Sequence, residues 1–173
     1  MPVAGPRRRG RARSAPAAMG EIRLLVLDVD GTLTDGRLHY GATGETHKSF
    51  HVRDGFGIKA VLSAGIVVAV ISGRRSPAVT RRCRELGINH VYQGIDDKAV
   101  VLQRLMRQLR LQWRQCACVG DDLPDVPLMQ QAGLAVAVAD AHPRALGCAH
   151  RRTRLPGGAG AVREVCDWLL QAR

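Results

Sequence analysis

Residues 24–32 read LLVLDVDGT, an apolar run that leads into two aspartates, Asp28 and Asp30, and then into a glycine. Side chains two residues apart on a strand point to the same side. Open α/β sheets place their functional sites at the carboxyl ends of the strands. The two carboxylates are therefore predicted to face one pocket, and two negative charges this close favour a bound cation.

The rest of the chain alternates short apolar runs with amphipathic segments, which is typical of a parallel sheet covered by helices. Strands are predicted at residues 22–27, 66–71, 90–92, 116–119 and 134–138. Helices are predicted at residues 56–63, from Ser76 and from Lys98, and a glycine-rich loop with a final helix at residues 156–172. These elements predict an α/β fold, with one domain over residues 19–173 built on a doubly wound, mostly parallel, Rossmann-like sheet.

One stretch departs from this alternation. Residues 37–40 and 45–52 resemble strands, and the turn between them at residues 41–44 contains two glycines. This pattern predicts a protruding β-hairpin over residues 37–52, with Leu38, Tyr40, Phe50 and Val52 on one apolar face. An isolated two-stranded ribbon is marginally stable, so either the parent domain or another subunit is expected to cover that face.

The 173 residues carry a formal net charge of +11. Five arginines within residues 1–18 contribute five of these positive charges. This segment lacks apolar periodicity and aromatic residues, so we expect a disordered basic tail and not a nucleic-acid-binding arm. No apolar run approaches the roughly twenty residues of a membrane span, and residues 14–20 make a poor export signal. We therefore expect a soluble, cytoplasmic protein. The five cysteines form no CxxC pair and are expected in the core, not in disulfides or metal sites.

Polar residues follow the later predicted strands and begin a helix. Ser72 and Arg74 follow one strand, Lys98 starts a helix, and Asp121 and Asp122 follow another strand. A carboxylate can attack phosphorus, and further carboxylates can hold a magnesium ion. A hydroxyl and an ammonium group can then hold the phosphoryl oxygens. The pattern therefore favours phosphoryl transfer at one edge of the sheet.

This order of motifs resembles the haloacid dehalogenase superfamily of phosphotransferases. The resemblance implies that Asp28 is the nucleophile and Asp30 the general acid and base. It implies that Ser72 and Lys98 bind phosphate. It also implies that Mg²⁺ is held by Asp28, Asp121 and the backbone carbonyl of Asp30, with Asp122 and Asp125 supporting these ligands.

The spacing leaves no room for a cap domain. The 72 − 28 = 44 positions from Asp28 to Ser72 are filled by the hairpin, one helix and one strand. Enzymes that close a lid over the substrate exclude water from the reaction. A chain without a cap must act on a bulky substrate or borrow a lid from another subunit, and the hairpin is the candidate for a shared lid.

A closer resemblance rests on VRDG at residues 52–55, ISGR at 71–74, GGAG at 157–160 and REVCD at 163–167. These segments resemble 3-deoxy-D-manno-octulosonate 8-phosphate phosphatases. The resemblance implies a capless homotetramer whose subunits share active sites and which dephosphorylates an eight-carbon acid sugar for lipopolysaccharide synthesis. It implies a sugar pocket lined by His51, Val52, Arg53, Asp54, Gly55, Lys59, Arg74 and Arg82.

Three alternatives stay open. The substrate is the eight-carbon sugar phosphate or a nine-carbon acid sugar phosphate, such as the 9-phosphate of KDN or of sialic acid. The third alternative is a non-catalytic tetramerising domain, against which the intact residues Asp28, Asp30, Lys98 and Asp121 argue.

The part played by the glycine-rich loop is a separate open question. The loop either reaches a neighbouring active site or is simply mobile.

Overall fold

The structure, a computed structural model, describes residues 16–173. The expected basic tail over residues 1–18 therefore lies almost entirely outside the described residues. Within its last part, the backbone N–H of Ala17 donates a hydrogen bond of 2.8 Å to the carbonyl of Gly133. The described chain thus contacts the domain from Ala17 onward.

The described residues form eight strands and six α-helices, besides three short 3-10 helices. The strands are β1 (Leu24–Leu27), β2 (His39–Gly41), β3 (Gly44–His47), β4 (Val67–Ser72), β5 (His90–Gln93), β6 (Cys116–Gly120), β7 (Leu134–Ala137) and β8 (Arg151–Arg152). The helices are α1 (Val52–Ser63), α2 (Pro77–Leu86), α3 (Lys98–Leu109), α4 (Val126–Met129), α5 (Pro143–Cys148) and α6 (Ala161–Gln171).

Six of the strands form one parallel sheet in the order β5-β4-β1-β6-β7-β8. The chain runs outward from β1 to one edge and then returns to build the other half, so the strand order reverses beside β1. All four residues of β1 are buried, and since successive side chains point to opposite faces, both faces of the sheet are covered. The predicted α/β class with a doubly wound parallel sheet is confirmed, and its ligand crevice is expected at the carboxyl end of β1.

The hairpin is shorter than predicted. β2 and β3 form a separate antiparallel sheet, but the second strand ends at His47 instead of Val52. α1 begins at Val52 instead of Phe56, because the Nδ1 atom of His51 accepts a hydrogen bond of 3.3 Å from the backbone N–H of Arg53 and caps the helix. The predicted four-residue apolar face is wrong, because Phe50 packs against the core and Val52 belongs to the helix.

The core prediction for the cysteines is confirmed, since all five are buried and free of disulfides. α6 packs along α1, while α4 contacts α3 and α5. No helix within residues 16–173 combines the length and apolar character needed to cross a membrane. The same residues contain no additional domain that covers the carboxyl ends of the strands.

Candidate active site

Asp28 directly follows β1 and is 8% exposed. The Nζ atom of Lys98 donates hydrogen bonds to Oδ1 of Asp28 at 2.5 Å and to Oδ1 of Asp125 at 2.8 Å. Lys98 is the first residue of α3, and the Asp97 side chain caps this helix by accepting from two backbone N–H groups. The start of α3 therefore fixes one ammonium group between two carboxylates from other parts of the chain.

Asp125 connects this ammonium group to the loop after β6. Its second oxygen, Oδ2, accepts hydrogen bonds from the backbone N–H groups of Asp121 at 3.1 Å and Asp122 at 3.3 Å. The Asp122 side chain in turn accepts from the backbone of Leu123 at 2.7 Å. Asp125 and Asp122 thus fix the loop that carries Asp121.

Asp121 lies against the turn that follows Asp28. Its Oδ1 accepts a hydrogen bond of 3.2 Å from the hydroxyl of Thr32. Gly31 has a φ of +96°, and a Cβ added there would lie 2.1 Å from Oδ2 of Asp121. Glycine is therefore required at position 31 both by the backbone conformation and by the approach of this carboxylate.

The carboxylates of Asp28, Asp121 and Asp125 form a potential cation site. One oxygen of each lies within 4.8 Å of the others, and carboxylate oxygens are the ligands that Mg²⁺ prefers. The donor set therefore fits magnesium. The Asp30 carboxylate is outside this cluster and forms an ion pair with Lys48, and the role of its backbone carbonyl as a metal ligand stays a prediction.

The electrostatics of the cluster favour a bound cation. Burial raises the pKa of Asp28, and the charge of Asp125 raises it further. Burial and the Asp125 charge raise the pKa of Asp121 to about 6. Burial opposes the charge of Lys98, but Asp28 and Asp125 outweigh it and raise the Lys98 pKa. One ammonium group thus faces three carboxylates, and a divalent cation would relieve their repulsion.

Ser72 is the last residue of β4 and is 2% exposed. Its Oγ accepts a hydrogen bond of 3.2 Å from the backbone N–H of Arg74. The guanidinium of Arg74 binds the hairpin, at 3.2 Å from the Tyr40 hydroxyl and 3.0 Å from Oε2 of Glu45. These hydrogen bonds raise the pKa of Arg74. In the single chain, Arg74 therefore joins the end of β4 to the hairpin.

Apart from Arg74, which binds the hairpin, the residues expected in the sugar pocket fall into two groups. His51, Asp54, Gly55 and Arg82 line one cavity together with apolar side chains. Asp54 is 2% exposed. Its Oδ1 accepts from the backbone N–H of Arg163 at 2.7 Å, while its Oδ2 has no hydrogen-bond partner in the described part of the chain. Burial raises the Asp54 pKa.

The second group consists of Val52, Arg53 and Lys59, which are exposed on α1. Val52 and Arg53 line a separate shallow cleft with Phe56 and Arg163. The single chain therefore does not bring these three side chains into the cavity of His51 and Asp54.

The glycine-rich loop packs on the turn that carries the catalytic candidates of the same chain. The backbone N–H of Gly158 donates a hydrogen bond of 3.0 Å to the carbonyl of Thr32. A Cβ added to Gly157 would lie 1.8 Å from the carbonyl oxygen of Gly31. Within one chain the loop is therefore packed in place, and its contact with a neighbouring subunit stays a prediction.

Lys48 is the main participant that the sequence analysis missed. Its Nζ contacts Oδ1 of Asp30 and lies 3.3 Å from Oε2 of Glu45. On a short hairpin, a lysine between His47 and Ser49 has the pattern of a solvated residue. The only feature of the sequence that pointed to Lys48 was its position just before residues 51–55, which were predicted to line the sugar pocket.

Comparison with known proteins places this geometry in a family. Residues 90–156 match a family model described as haloacid dehalogenase-like hydrolase. Over 152 residues, the chain is 52% identical to a 3-deoxy-D-manno-octulosonate 8-phosphate phosphatase from Yersinia pestis, covering 88% of this chain and 81% of that protein. The chain belongs to this phosphatase family.

Solved structures of family members have the same fold. A 3-deoxy-D-manno-octulosonate 8-phosphate phosphatase from Moraxella catarrhalis, in complex with a magnesium ion, a phosphate ion and KDO, is similar with a TM-score of 0.88 and 41% identity over 90% of both chains. A cobalt-bound phosphatase of the family from Haemophilus influenzae has a TM-score of 0.87 and 44% identity over 90% of this chain and 91% of that one. The resemblance stated from the motifs is thereby confirmed.

Proposed function

We propose that the protein is a magnesium-dependent phosphatase that hydrolyses 3-deoxy-D-manno-octulosonate 8-phosphate to 3-deoxy-D-manno-octulosonate and phosphate. The observation that carries the proposal is the buried contact of Lys98 with Asp28 and Asp125, beside Asp121 in the same carboxylate cluster. A family member bound to magnesium, phosphate and KDO supports the substrate.

In the first half of the reaction, a carboxylate oxygen of Asp28 attacks phosphorus and the bond from phosphorus to the sugar oxygen breaks. Protonated Asp30 gives its proton to that sugar oxygen, so the sugar leaves as an alcohol and Asp28 carries the phosphoryl group. Lys98 and Ser72 hold the phosphoryl oxygens. A magnesium ion held by Asp28 and Asp121 supplies charge neutralisation between the anionic nucleophile and the anionic ester.

In the second half, ionised Asp30 takes a proton from a water molecule that attacks the same phosphorus atom. The bond between phosphorus and the Asp28 oxygen breaks, phosphate is released, and both aspartates return to their starting states. The sugar phosphate also carries a carboxylate, and Arg82, one of the residues expected to contact the sugar, supplies a cation for it.

The oligomer and the cellular setting are also proposals. We infer a homotetramer that acts in the cytoplasm in lipopolysaccharide synthesis. The exposed Leu38 and Tyr40, at 43% and 63%, support the hairpin as the contact between subunits. The five free cysteines are consistent with a reducing compartment.

The test measures phosphate release from eight- and nine-carbon acid sugar phosphates, with magnesium and with a chelator, for the wild type and Asp28→Asn. We expect turnover of the eight-carbon substrate that requires magnesium and falls by at least about 10³-fold in the variant. Faster turnover of the nine-carbon substrate would reassign the substrate, and full turnover by Asp28→Asn would exclude the covalent mechanism. An inactive wild type would favour the tetramerising domain.

A further inference from the structure

Lys48 is a buried lysine that the proposed reaction does not yet use. Its side chain is 1% exposed and lies between the carboxylates of Asp30 and Glu45. Lysine is rarely buried unless its charge is paired. Here both acceptors are charged, so the ammonium group is held by two ion pairs away from water.

Glu45 and Lys48 belong to a longer row of contacts that begins on the hairpin. Oε2 of Glu45 accepts from the Arg74 guanidinium at 3.0 Å, and the Tyr40 hydroxyl lies 3.2 Å from the same guanidinium nitrogen. These hydrogen bonds and ion pairs outweigh the small burial of Glu45 and lower its pKa. The row Arg74, Glu45, Lys48, Asp30 therefore alternates in charge and leads from the end of β4 through the hairpin to the proposed general acid.

The contact with Asp30 engages one carboxylate oxygen, Oδ1. The second oxygen, Oδ2, is outside this ion pair, and we assign the proton transfer to it. Asp30 lies on the turn after β1 and is only half-buried, so strand packing alone does not fix its rotamer. Proton transfer requires the carboxyl group within hydrogen-bond reach of the departing oxygen.

We propose that Lys48 is a positioning residue, which holds the Asp30 carboxylate in one orientation and makes the hairpin part of the proton-transfer machinery. The inference rests on the proposed phosphatase function. The ammonium group of Lys48 is bound by two carboxylates of its own chain, and the experiment below separates this positioning role from a substrate contact.

Two substrates with different leaving groups distinguish a positioning role of Lys48 from a general loss of active-site structure. A sugar alkoxide must be protonated as it departs, whereas p-nitrophenolate, from a far more acidic alcohol, departs without a proton. The value of kcat/KM reports the steps up to phosphoryl transfer to Asp28, so it excludes the later water attack, which needs Asp30 for either substrate. Lys48→Met should therefore lower kcat/KM for the sugar phosphate by about 10- to 100-fold. The value for p-nitrophenyl phosphate should fall less than about threefold.

Two matched variants complete the experiment. Lys48→Arg preserves the positive charge and should retain most of the wild-type activity on the sugar phosphate, in contrast to Lys48→Met. His47→Ala removes the stacking of His47 on His39 on the same hairpin without touching Asp30, and should leave the ratio of the two kcat/KM values unchanged. Calorimetric titration with 3-deoxy-D-manno-octulosonate should give the same affinity for wild type and Lys48→Met.

Each other outcome overturns the inference. Equal losses on both substrates would mean that Lys48 only stabilises the fold, and weaker binding of the product sugar would make it a substrate contact. Unchanged kcat/KM values for both substrates in a folded Lys48→Met protein would show that Asp30 is positioned without Lys48. Failure of the wild type on the sugar phosphate would instead reject the proposed function, so the two failures are distinguishable.

Discussion

At the scale of single residues, one ammonium group balances the carboxylates of the site. Lys98 binds both Asp28 and Asp125 and is 5% exposed. Removing one partner of a buried ion pair leaves the other charge uncompensated, which costs about 3 kcal/mol or more. Lys98→Met should therefore lower the free energy of unfolding by about 3 kcal/mol and abolish most phosphatase activity.

Urea unfolding checks the stability effect, and phosphate release checks the activity. The matched control is Arg104→Met, which changes an exposed position of the same helix and should alter the free energy of unfolding by less than about 0.5 kcal/mol. A Lys98→Met protein as stable as this control would contradict the charge balance described for the site.

The pKa of Asp121 is raised to about 6. This raised pKa predicts that the stability of the protein depends on pH with opposite sign in the absence and in the presence of magnesium. Without metal, the folded state holds the Asp121 proton more tightly than the unfolded state between about pH 4 and 6, so stability should rise as the pH falls through this range. With magnesium, protons compete for the same carboxylate, and the magnesium affinity should fall about tenfold between pH 7 and pH 5.

Thermal unfolding in chelator and in excess magnesium, measured across this pH range, tests both signs. Asp121→Asn serves as the control, because it removes the titrating carboxyl group. In chelator, the part of the pH dependence of stability that Asp121 causes should therefore be absent in this variant. A metal-free protein whose stability falls on acidification from pH 6 to pH 4 would be inconsistent with the raised pKa.

The sequence predicted a shared site for Asp28, Ser72, Lys98 and Asp121 because each stands at a strand end or a helix start, where topology alone predicts convergence. It did not identify the pairing of Lys48 with Asp30. That contact depends on how a three-residue and a four-residue strand fold back over the sheet edge. Such placement has no local signature, since a surface lysine and a buried one look alike in a single sequence.

At the scale of elements, the packing of the glycine-rich loop against the turn after β1 has no space for a side chain. A Cβ at Gly157 would lie 1.8 Å from the Gly31 carbonyl oxygen, so either the loop or the turn must move in Gly157→Ala. We expect this variant to lose more than about 2 kcal/mol of stability and to lose activity through displacement of Asp28 and Asp30.

Gly147→Ala is the matched control. A Cβ at Gly147 meets no atom within 4 Å, and the residue lies inside α5, where alanine is favoured over glycine by up to about 1 kcal/mol. Urea unfolding and magnesium-dependent turnover should separate the two variants. Similar stability of both would show that the loop does not pack on the turn as described.

The elements that the sequence predicted well are those with strong periodicity. The buried strands β1, β4, β6 and β7 have continuous apolar runs, and α2 has its proline at the first position after Ser76. β8 was missed because Arg151–Arg152 is a two-residue, exposed edge strand without an apolar pattern. The start of α1 was misplaced because His51 caps the helix, and histidine is not among the usual capping residues.

At the scale of the whole molecule, the hairpin leaves apolar side chains exposed in the single chain. Leu38 and Tyr40 are 43% and 63% exposed, which supports the proposed contact with other subunits. We expect Leu38→Asp to shift the proposed tetramer toward smaller species, since a charge at such a contact is costly to bury. Light scattering coupled to gel filtration measures the change.

Thr43→Asp is the control, because it adds the same charge at the exposed turn of the hairpin, away from Leu38. It should leave the oligomer unchanged. A wild-type monomer with full activity would refute both the tetramer and the shared lid.

The packing of the glycine-rich loop on the turn after β1 also has a consequence for the timing of folding during synthesis. The hydrogen bond from Gly158 to Thr32 joins positions that are 158 − 32 = 126 residues apart, so the nucleophile is translated long before the segment that packs on its turn. Ribosomal synthesis proceeds from the N-terminus at about 5–20 residues per second. The turn that carries the nucleophile candidate therefore lacks this packing contact for several seconds during synthesis.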